Sequence, residues 1–263
     1  MPGSFESDRL RVVLVNARNP LNIGAAARAM SNFGFSRLRV VNPFQVAFQE
    51  ARSAVGASDL LARAEQCTTV AEAVGDCALV VGTTAVRHRD LQHRLKPLEE
   101  AGNLIRQRLQ SGGLQPGGFQ PDNVALLFGS EKYGLSNEDL SHCHWLLHIR
   151  TDEEHISMNL GQAVAVCLYE LVRSAPVGTQ VEPQIESQNE DVNPATAEEV
   201  ERITQMLFDA LKLSGYVKPR TEGSTEEKVR RLIRRLSLRS PDAVAWQGML
   251  HRIVLKLRRD AEK

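Results

Sequence analysis

The sequence predicts an α/β fold: a mostly parallel sheet with helices on both faces, continued by an all-helical extension. Three observations predict it. Short, continuous apolar runs alternate with helical patterns as far as residue 174. A polar, acidic, proline-bearing stretch then breaks the alternation. Amphipathic helical patterns fill the rest. Apolar runs in regular alternation with helices mark parallel strands buried on both faces.

The elements follow in order. Residues 11–15 (RVVLV) are a short strand rich in β-branched side chains, and residues 21–33 place apolar and small residues at helical spacing. Residues 38–41 are a second strand, with 78–81 (ALVV), 124–128 (VALLF) and 145–149 after it. Residues 159–173 (NLGQAVAVCLYELVR) read as a helix that is apolar around much of its circumference. One sheet face cannot cover such a helix, so a homodimer contact through it is expected. Residues 111–122, rich in Gly, Pro and Gln, are a loop.

The domain reading is 1–174 for the α/β unit, 175–195 for an acidic linker and 196–263 for the helical extension. In the extension, 197–213 is amphipathic, and 224–238 opens on a capping box from Ser224 to Glu227. Residues 243–259 follow Pro241 and Asp242 in a helix-starting context.

Composition narrows the function classes. The chain has 263 residues, 42% hydrophobic and 24% charged, as in an ordinary globular protein. No apolar run is long enough to span a bilayer, and the N-terminus, with Glu6, Asp8 and Arg9, has no signal core. No membrane association is expected, and the location is read as cytoplasmic. Cys67, Cys77, Cys143 and Cys167 form no CxxC pair and are read as reduced thiols. His142, Cys143 and His144 stand in succession, so on a strand the cysteine would point away from both histidines. No metal is expected.

The formal net charge is zero, but the charges are not evenly spread. Glu182, Glu186, Glu190 and Asp191 fall in the linker, and basic residues outnumber acidic ones from Thr196 onward. A phosphate senses a local basic face, not the chain average. In the extension, Arg230, Arg231, Arg234 and Arg235 flank an apolar stripe of Val229, Leu232, Ile233 and Leu236. They are either a solvated face or an RNA phosphate contact, and the second reading is favoured.

Three segments carry chemistry. In 16–34, Asn22, Gly24 and Arg28 lie near a helix start that follows a strand, a setting suited to phosphate. In 128–140, a buried strand ends at a turn bearing Gly129, Glu131, Gly134 and Leu135. Ligands of α/β sheets bind at such strand ends. In 148–170, Ser157 and Asn159 precede an apolar helix, where Ser157 is either an N-cap or a site residue. No GxSxG elbow and no Walker loop is present, so hydrolase and nucleotide-phosphate chemistry are poorly supported.

In this order, each at a strand end, the segments resemble the three motifs of the SPOUT class of RNA methyltransferases, in its SpoU (TrmH-like) branch. Asn22, Gly24 and Arg28 match the first motif, Gly129, Glu131, Gly134 and Leu135 the second, and Ser157, Asn159 and Leu160 the third. Residues 228–239, with Gly248 and Leu250, are similar to the C-terminal extension of bacterial tRNA methyltransferases that modify cytidine or uridine at the start of the anticodon loop. The resemblance implies a deep C-terminal trefoil knot and S-adenosylmethionine as cofactor. It implies that Thr83, Thr84, Ala85, Gly129, Ile149, Ile156, Ser157 and Met158 hold that cofactor. It gives Arg28, Asn22, Glu131, Ser157 and Asn159 to the catalytic site, with Arg28 at the target ribose.

The implied reaction is 2′-O-methylation of a tRNA ribose, cytidine or uridine at position 32. An enzyme of the same branch acting on rRNA or another tRNA site, or a non-catalytic RNA-binding protein of this fold, are the alternatives. Two departures stand out: Ile156 replaces the first of the family's paired serines, and Gly161 stands where many members have Ser or Ala.

Overall fold

The structure, a computed structural model, describes residues 7–46, 48–49, 58–85, 92–111, 123–173 and 193–261. The loop expected at 111–122 and most of the expected linker lie outside these residues.

Among the described residues, seven parallel strands form one sheet. In chain order they are β1 (Leu10–Val15), β2 (Leu38–Val41), β3 (Glu65–Cys67), β4 (Cys77–Thr83), β5 (Leu95–Pro97), β6 (Asn123–Phe128) and β7 (Trp145–His148). They lie in the order β3-β2-β1-β6-β4-β7-β5. The central strands are apolar throughout because both sheet faces are covered: every residue of β6 is buried. Alternate residues divide between two cores, as the two-residue period of a strand requires. Val12, Leu14, Leu126 and Phe128 meet helices α1 (Pro20–Phe33), α4 (Leu98–Ser111) and α6 (Leu160–Val172). Val13, Val15, Ala125 and Leu127 meet the shorter helices α3 (Val70–Val74) and α5 (Asn137–Ser141) on the other face. A further short helix, α2, spans Ser58–Ala62.

The strands and helices read from the sequence are present with bounds shifted by up to three residues. The three-residue strands β3 and β5 and the short helices carry too few periodic positions to be read.

Helices α7 (Ala197–Leu213), α8 (Glu222–Arg235) and α9 (Ser240–Ala261) pack around Val200, Ile203, Val229, Ile233, Ala243 and Leu250. Thr196 and Glu199 form a reciprocal capping box at the start of α7. The capping box expected from Ser224 to Glu227 is not formed. Helix α8 begins two residues earlier, and the Ser224 hydroxyl donates back to the Thr221 carbonyl at 3.1 Å. The helical unit rests on the sheet: Ala197 is part of the α3/α5 core, and the Glu198 amide donates to the Gly75 carbonyl at 3.1 Å. No helix among the described residues is long and apolar enough to cross a membrane.

Candidate active site

Strands β4, β6 and β7 end side by side, and the loops beyond them enclose a cavity of about 380 Å³. This is the strand-end position that α/β sheets give to ligands, and the volume is that of a small-molecule site. Thr83, Thr84, Ala85, Gly129, Ile149, Ile156, Ser157 and Met158 all line it. Sequence reasoning missed Ser130, Lys132, Tyr133 and Thr151, which complete the polar part of the wall. Loop residues of this kind show no periodicity.

The loop after β6 folds back tightly. A Cβ on Gly129 would lie 2.1 Å from the Gly134 carbonyl carbon and 2.2 Å from the Leu135 nitrogen, so only glycine fits. The Gly134 amide donates to the Ser130 carbonyl at 2.8 Å, closing the turn. This fold-back brings Glu131 to the start of α1. Its carboxylate accepts from the Asn19 amide at 3.1 Å, the Arg18 amide at 3.3 Å and Asn22 Nδ2 at 3.1 Å. Asn22 Oδ1 in turn accepts from Asn159 Nδ2 at 2.7 Å. Asn159 Oδ1 then caps α6, accepting from the amides of Gly161 at 2.9 Å and Gln162 at 3.3 Å. Asn159, not Ser157, is therefore the N-cap, and Ser157 stands exposed on the cavity wall.

One hydrogen-bonded chain, Glu131–Asn22–Asn159, thus joins three segments far apart in sequence. Burial acts to raise the Glu131 carboxyl. Hydrogen bonds from its own amide, from Asn22 and from the Asn19 and Arg18 amides outweigh that and hold it below the usual glutamate value. Glu131 is an ionised acceptor whose oxygens are already engaged.

Gly161 also has an internal reason. A Cβ there would lie 2.5 Å from Ala25 Cβ, because α6 starts directly against α1. Gly24 differs: no atom lies within 4 Å of where its Cβ would be, so packing within the chain does not demand glycine. Arg28 is exposed on α1 and is not among the residues that line the cavity.

A model of the SpoU rRNA Methylase family matches residues 9–169. The chain belongs to the SpoU methylase family. It is 35% identical over 242 residues to the tRNA (cytidine/uridine-2'-O-)-methyltransferase TrmJ of Klebsiella pneumoniae, covering 92% of this chain and 94% of that one. It is 35% identical over 249 residues to the tRNA (cytidine/uridine/adenosine-2'-O-)-methyltransferase TrmJ of Pseudomonas aeruginosa, covering 92% and 93%. The crystal structure of TrmJ from Z. mobilis ZM4 superposes with a TM-score of 0.74 at 30% identity, covering 92% of this chain and 98% of that one. Both units of the chain therefore have counterparts in these relatives.

SpoU methylases draw their methyl group from S-adenosylmethionine, and the residues present fit it. Ile149, Ile156 and Met158 offer apolar surface for a purine, and Ser130, Thr151 and Ser157 offer hydroxyls for the polar ends of such a molecule. Among the described residues no group of three or more His, Cys, Asp and Glu could hold a metal ion. His142 and Cys143 lie in the turn between α5 and β7 rather than on a strand.

The arginine-rich helix α8 requires a correction. Arg230 and Arg234 do not face outward to meet phosphate; they are 6% and 2% exposed. Arg230 Nε donates to both Glu201 oxygens at 3.0 Å, Nη2 pairs with Glu226 at 2.7 Å, and Nη1 reaches Ser141 Oγ at 3.2 Å. Arg234 Nη2 donates to the Ala197 carbonyl at 3.3 Å and lies 3.8 Å from Glu201. The buried face of α8 takes in Val229 and Ile233 of the apolar stripe together with these two arginines, leaving Leu232 and Leu236 exposed. The arginines pair the largely buried Glu201 carboxylate, which offsets the cost of taking these charges out of water. Arg231 pairs with Glu227 at 3.5 Å, and Arg235 is exposed and donates to the Gln92 carbonyl.

Proposed function

We propose that the protein is an S-adenosylmethionine-dependent tRNA methyltransferase acting on the 2′ hydroxyl of a cytidine or uridine ribose at position 32, in the anticodon loop. The observation that carries the chemistry is the strand-end cavity with its Glu131–Asn22–Asn159 brace. The tRNA substrate rests on the named activity of relatives that align along 92% of the chain.

When bound, the cofactor supplies an electrophilic methyl group on a sulfonium centre. Thr83, Thr84, Ala85, Gly129, Ile149, Ile156, Ser157 and Met158 would hold it. Asn22, Glu131 and Asn159 are positioning residues: their polar atoms are spent on one another and on α6's first turn. Glu131 is a weak base for the same reason, since every donor that lowers its proton affinity also opposes its taking a proton. The ribose proton therefore leaves to a substrate phosphate or to water. Arg28 orients an adjacent phosphate and offsets negative charge as it develops on the 2′ oxygen.

The remaining features belong to the same proposal. The chain that threads the cavity loops forms a deep trefoil knot. Two copies meet through α6, where Tyr169 is 54% exposed and Ala165, Val166 and Val172 are half-buried. The exposed cations Arg235, Lys228 and Arg239, with Arg231, meet tRNA phosphates. A tRNA substrate supports a cytoplasmic location.

Incubation with unmodified total tRNA and labelled S-adenosylmethionine, followed by mapping of the methylated nucleotide, tests the assignment. Label in a 2′-O-methyl group at an anticodon-loop pyrimidine is the expected result. Label found only in rRNA, or none, overturns it. Arg28→Ala should lose methyl transfer while calorimetry shows cofactor binding nearly intact; normal turnover in that variant would remove Arg28 from the mechanism.

A further inference from the structure

We propose that Arg230 is a positioning residue for methyl transfer: through Ser141 it ties the cavity wall that follows β6 to the helical unit. This rests on the reading of the protein as a tRNA methyltransferase whose helical unit meets the tRNA. The observation behind it is a hydrogen bond between the two units, from Arg230 Nη1 to Ser141 Oγ at 3.2 Å, with both residues buried.

The Arg230 end of this bond is rigid. Nε donates to both Glu201 oxygens at 3.0 Å, and Nη2 donates to Glu201 at 2.9 Å and to Glu226 at 2.7 Å. Glu201 stands on α7 and Glu226 on α8, so two helices set the plane of the guanidinium. A planar fork held in this way aims its remaining donor, which a flexible ammonium would not do.

The Ser141 end leads into the cavity. The Ser141 hydroxyl donates to the Glu138 carbonyl at 2.6 Å, so its oxygen accepts from Arg230. Helix α5 is a short turn fixed at its start. Ser136 Oγ accepts from the Asp139 amide at 3.1 Å, and the Asp139 carboxylate accepts from the Ser136 amide at 2.8 Å. Leu135, directly before this cap, is buried and lines the cavity. Beyond α5, Cys143 packs on β4. A Cβ on Gly82 would lie 2.8 Å from Cys143 Sγ, 2.9 Å from Leu146 Cδ2 and 3.3 Å from Leu135 Cδ1. No slack therefore separates the α5 turn from the strand that ends in Thr83, also on the cavity wall. A displacement of Ser141 is passed to Leu135 or to Thr83.

The segment from Gly129 to Ser141 is thus held from two sides. Glu131 bonds it to the start of α1, the helix that carries Arg28, and Ser141 bonds it to α8. The cofactor is held by this wall, and the tRNA by the helical unit. Methyl transfer needs the two in line, and a misplacement of about 1 Å costs up to about a hundredfold in rate. Arg230 and Ser141 are buried and touch neither substrate, so their bond should act on kcat and leave binding alone.

The test uses the full-length protein, well below its melting temperature. Ser141→Ala removes the acceptor and leaves Arg230 with Glu201 and Glu226. Arg230→Lys keeps a charge for Glu201 and loses the aimed donor. Each should lower kcat by about tenfold, with KM for tRNA within about twofold of the parent. Because both cut one bond, the double variant should be no slower than the slower single variant. Val229→Ala, a cavity in the core of the helical unit that leaves the bond in place, should lower the melting temperature and keep the parental kcat. The proposal is overturned by a parental kcat in Ser141→Ala, by additive losses in the double variant, or by an equal loss of kcat in Val229→Ala. Failure of the parent to methylate any tRNA would instead sink the reading on which the proposal rests.

Discussion

At the scale of single residues, the site depends on side chains that perform no chemistry. Gly161 is an example. Its family position often carries Ser or Ala, but here α6 starts against α1 with no room for a Cβ, the nearest atom being Ala25 Cβ at 2.5 Å. Gly161→Ala should therefore cost about 1–3 kcal/mol, the usual range for overpacking a tight contact. Since the obstacle is mainly one methyl group, Ala25→Gly in the same chain should recover part of the loss. Urea denaturation of the two single variants and the double variant would show this coupling. Purely additive effects would mean that the two helices separate freely, and that the close approach does not constrain the site.

Glu131 makes a related point about pH. Its folded value lies below the ordinary one, so its contribution to stability is complete above the ordinary glutamate range. It is lost only as pH falls through the lowered folded value. The brace should therefore survive mild acid. Glu131→Gln keeps the shape but replaces one charged acceptor oxygen by a donor, facing two amides and Asn22 that also donate. We expect methyl transfer to fall by at least about tenfold, as small misplacements in a preorganised site do, with far-ultraviolet circular dichroism unchanged. Parental turnover in Glu131→Gln would show that the brace is dispensable.

At the scale of elements, the decisive contact is between α7, α8 and the α5 turn. Arg230 and Arg234 share Glu201 in a buried site that also holds His142 and, beneath it, His144. His142 Nδ1 is 3.8 Å from Glu201, but the pair is not an ion pair. Burial, then the Arg230 charge, push His142 down to about 3 against the weaker pull of Glu201, and the ring is neutral. His144 is pushed to about 3, chiefly by burial, and its neutral Nδ1 accepts from the Val80 amide at 3.0 Å. Burial and the charges of Arg231 and Arg235 take His93 to about 4.

All three histidines are depressed from 6.5, so the unfolded chain binds protons that the folded chain refuses. Stability is complete above about pH 6.5 and falls as pH drops toward 4, by up to about 1.4 kcal/mol per pH unit for each histidine. Urea midpoints between pH 7.5 and 4.5 should show the decline, and His142→Asn should make it shallower. A flat profile would mean that these rings are hydrated. Arg234→Gln removes the bond to the Ala197 carbonyl but leaves Glu201 paired by Arg230, so it should cost no more than about 1–3 kcal/mol by urea denaturation, the range for a lost buried hydrogen bond.

At the scale of the whole molecule, the helical unit completes the protein's hydrophobic surface rather than trailing behind it. Ala197 sits in the core with Val70, Ala73, Val74 and Leu140, and the Arg230 guanidinium reaches Ser141 at the end of α5. A chain ending near residue 173 exposes that surface. It should melt at a lower temperature than the full chain, in addition to losing tRNA affinity. Such a chain would have an unchanged melting temperature only if the contact is not kept in solution. The proposed α6 interface makes a separate prediction, a homodimer mass by light scattering at micromolar protein. A monomer mass would leave the exposed Tyr169 side of α6 without its partner.

Taken alone, the sequence determined the alternation of strands and helices and the three chemical segments. Both are written in local terms: continuous apolar runs such as VALLF, and polar residues placed where those runs end. The family resemblance that the ordered motifs carry named Thr83, Thr84, Ala85, Gly129, Ile149, Ile156, Ser157 and Met158 of the cavity lining, but not Ser130, Lys132, Tyr133 or Thr151. Only the tertiary structure decided what those residues do to one another. The bonds from Glu131 to Asn22 and from Asn22 to Asn159 span 109 and 137 residues, and no local pattern records such distances. The same holds for α8. Its sequence shows arginines flanking an apolar stripe, but that two of them turn inward beside Val229 and Ile233 depends on Glu201, a largely buried carboxylate on another helix that pairs them.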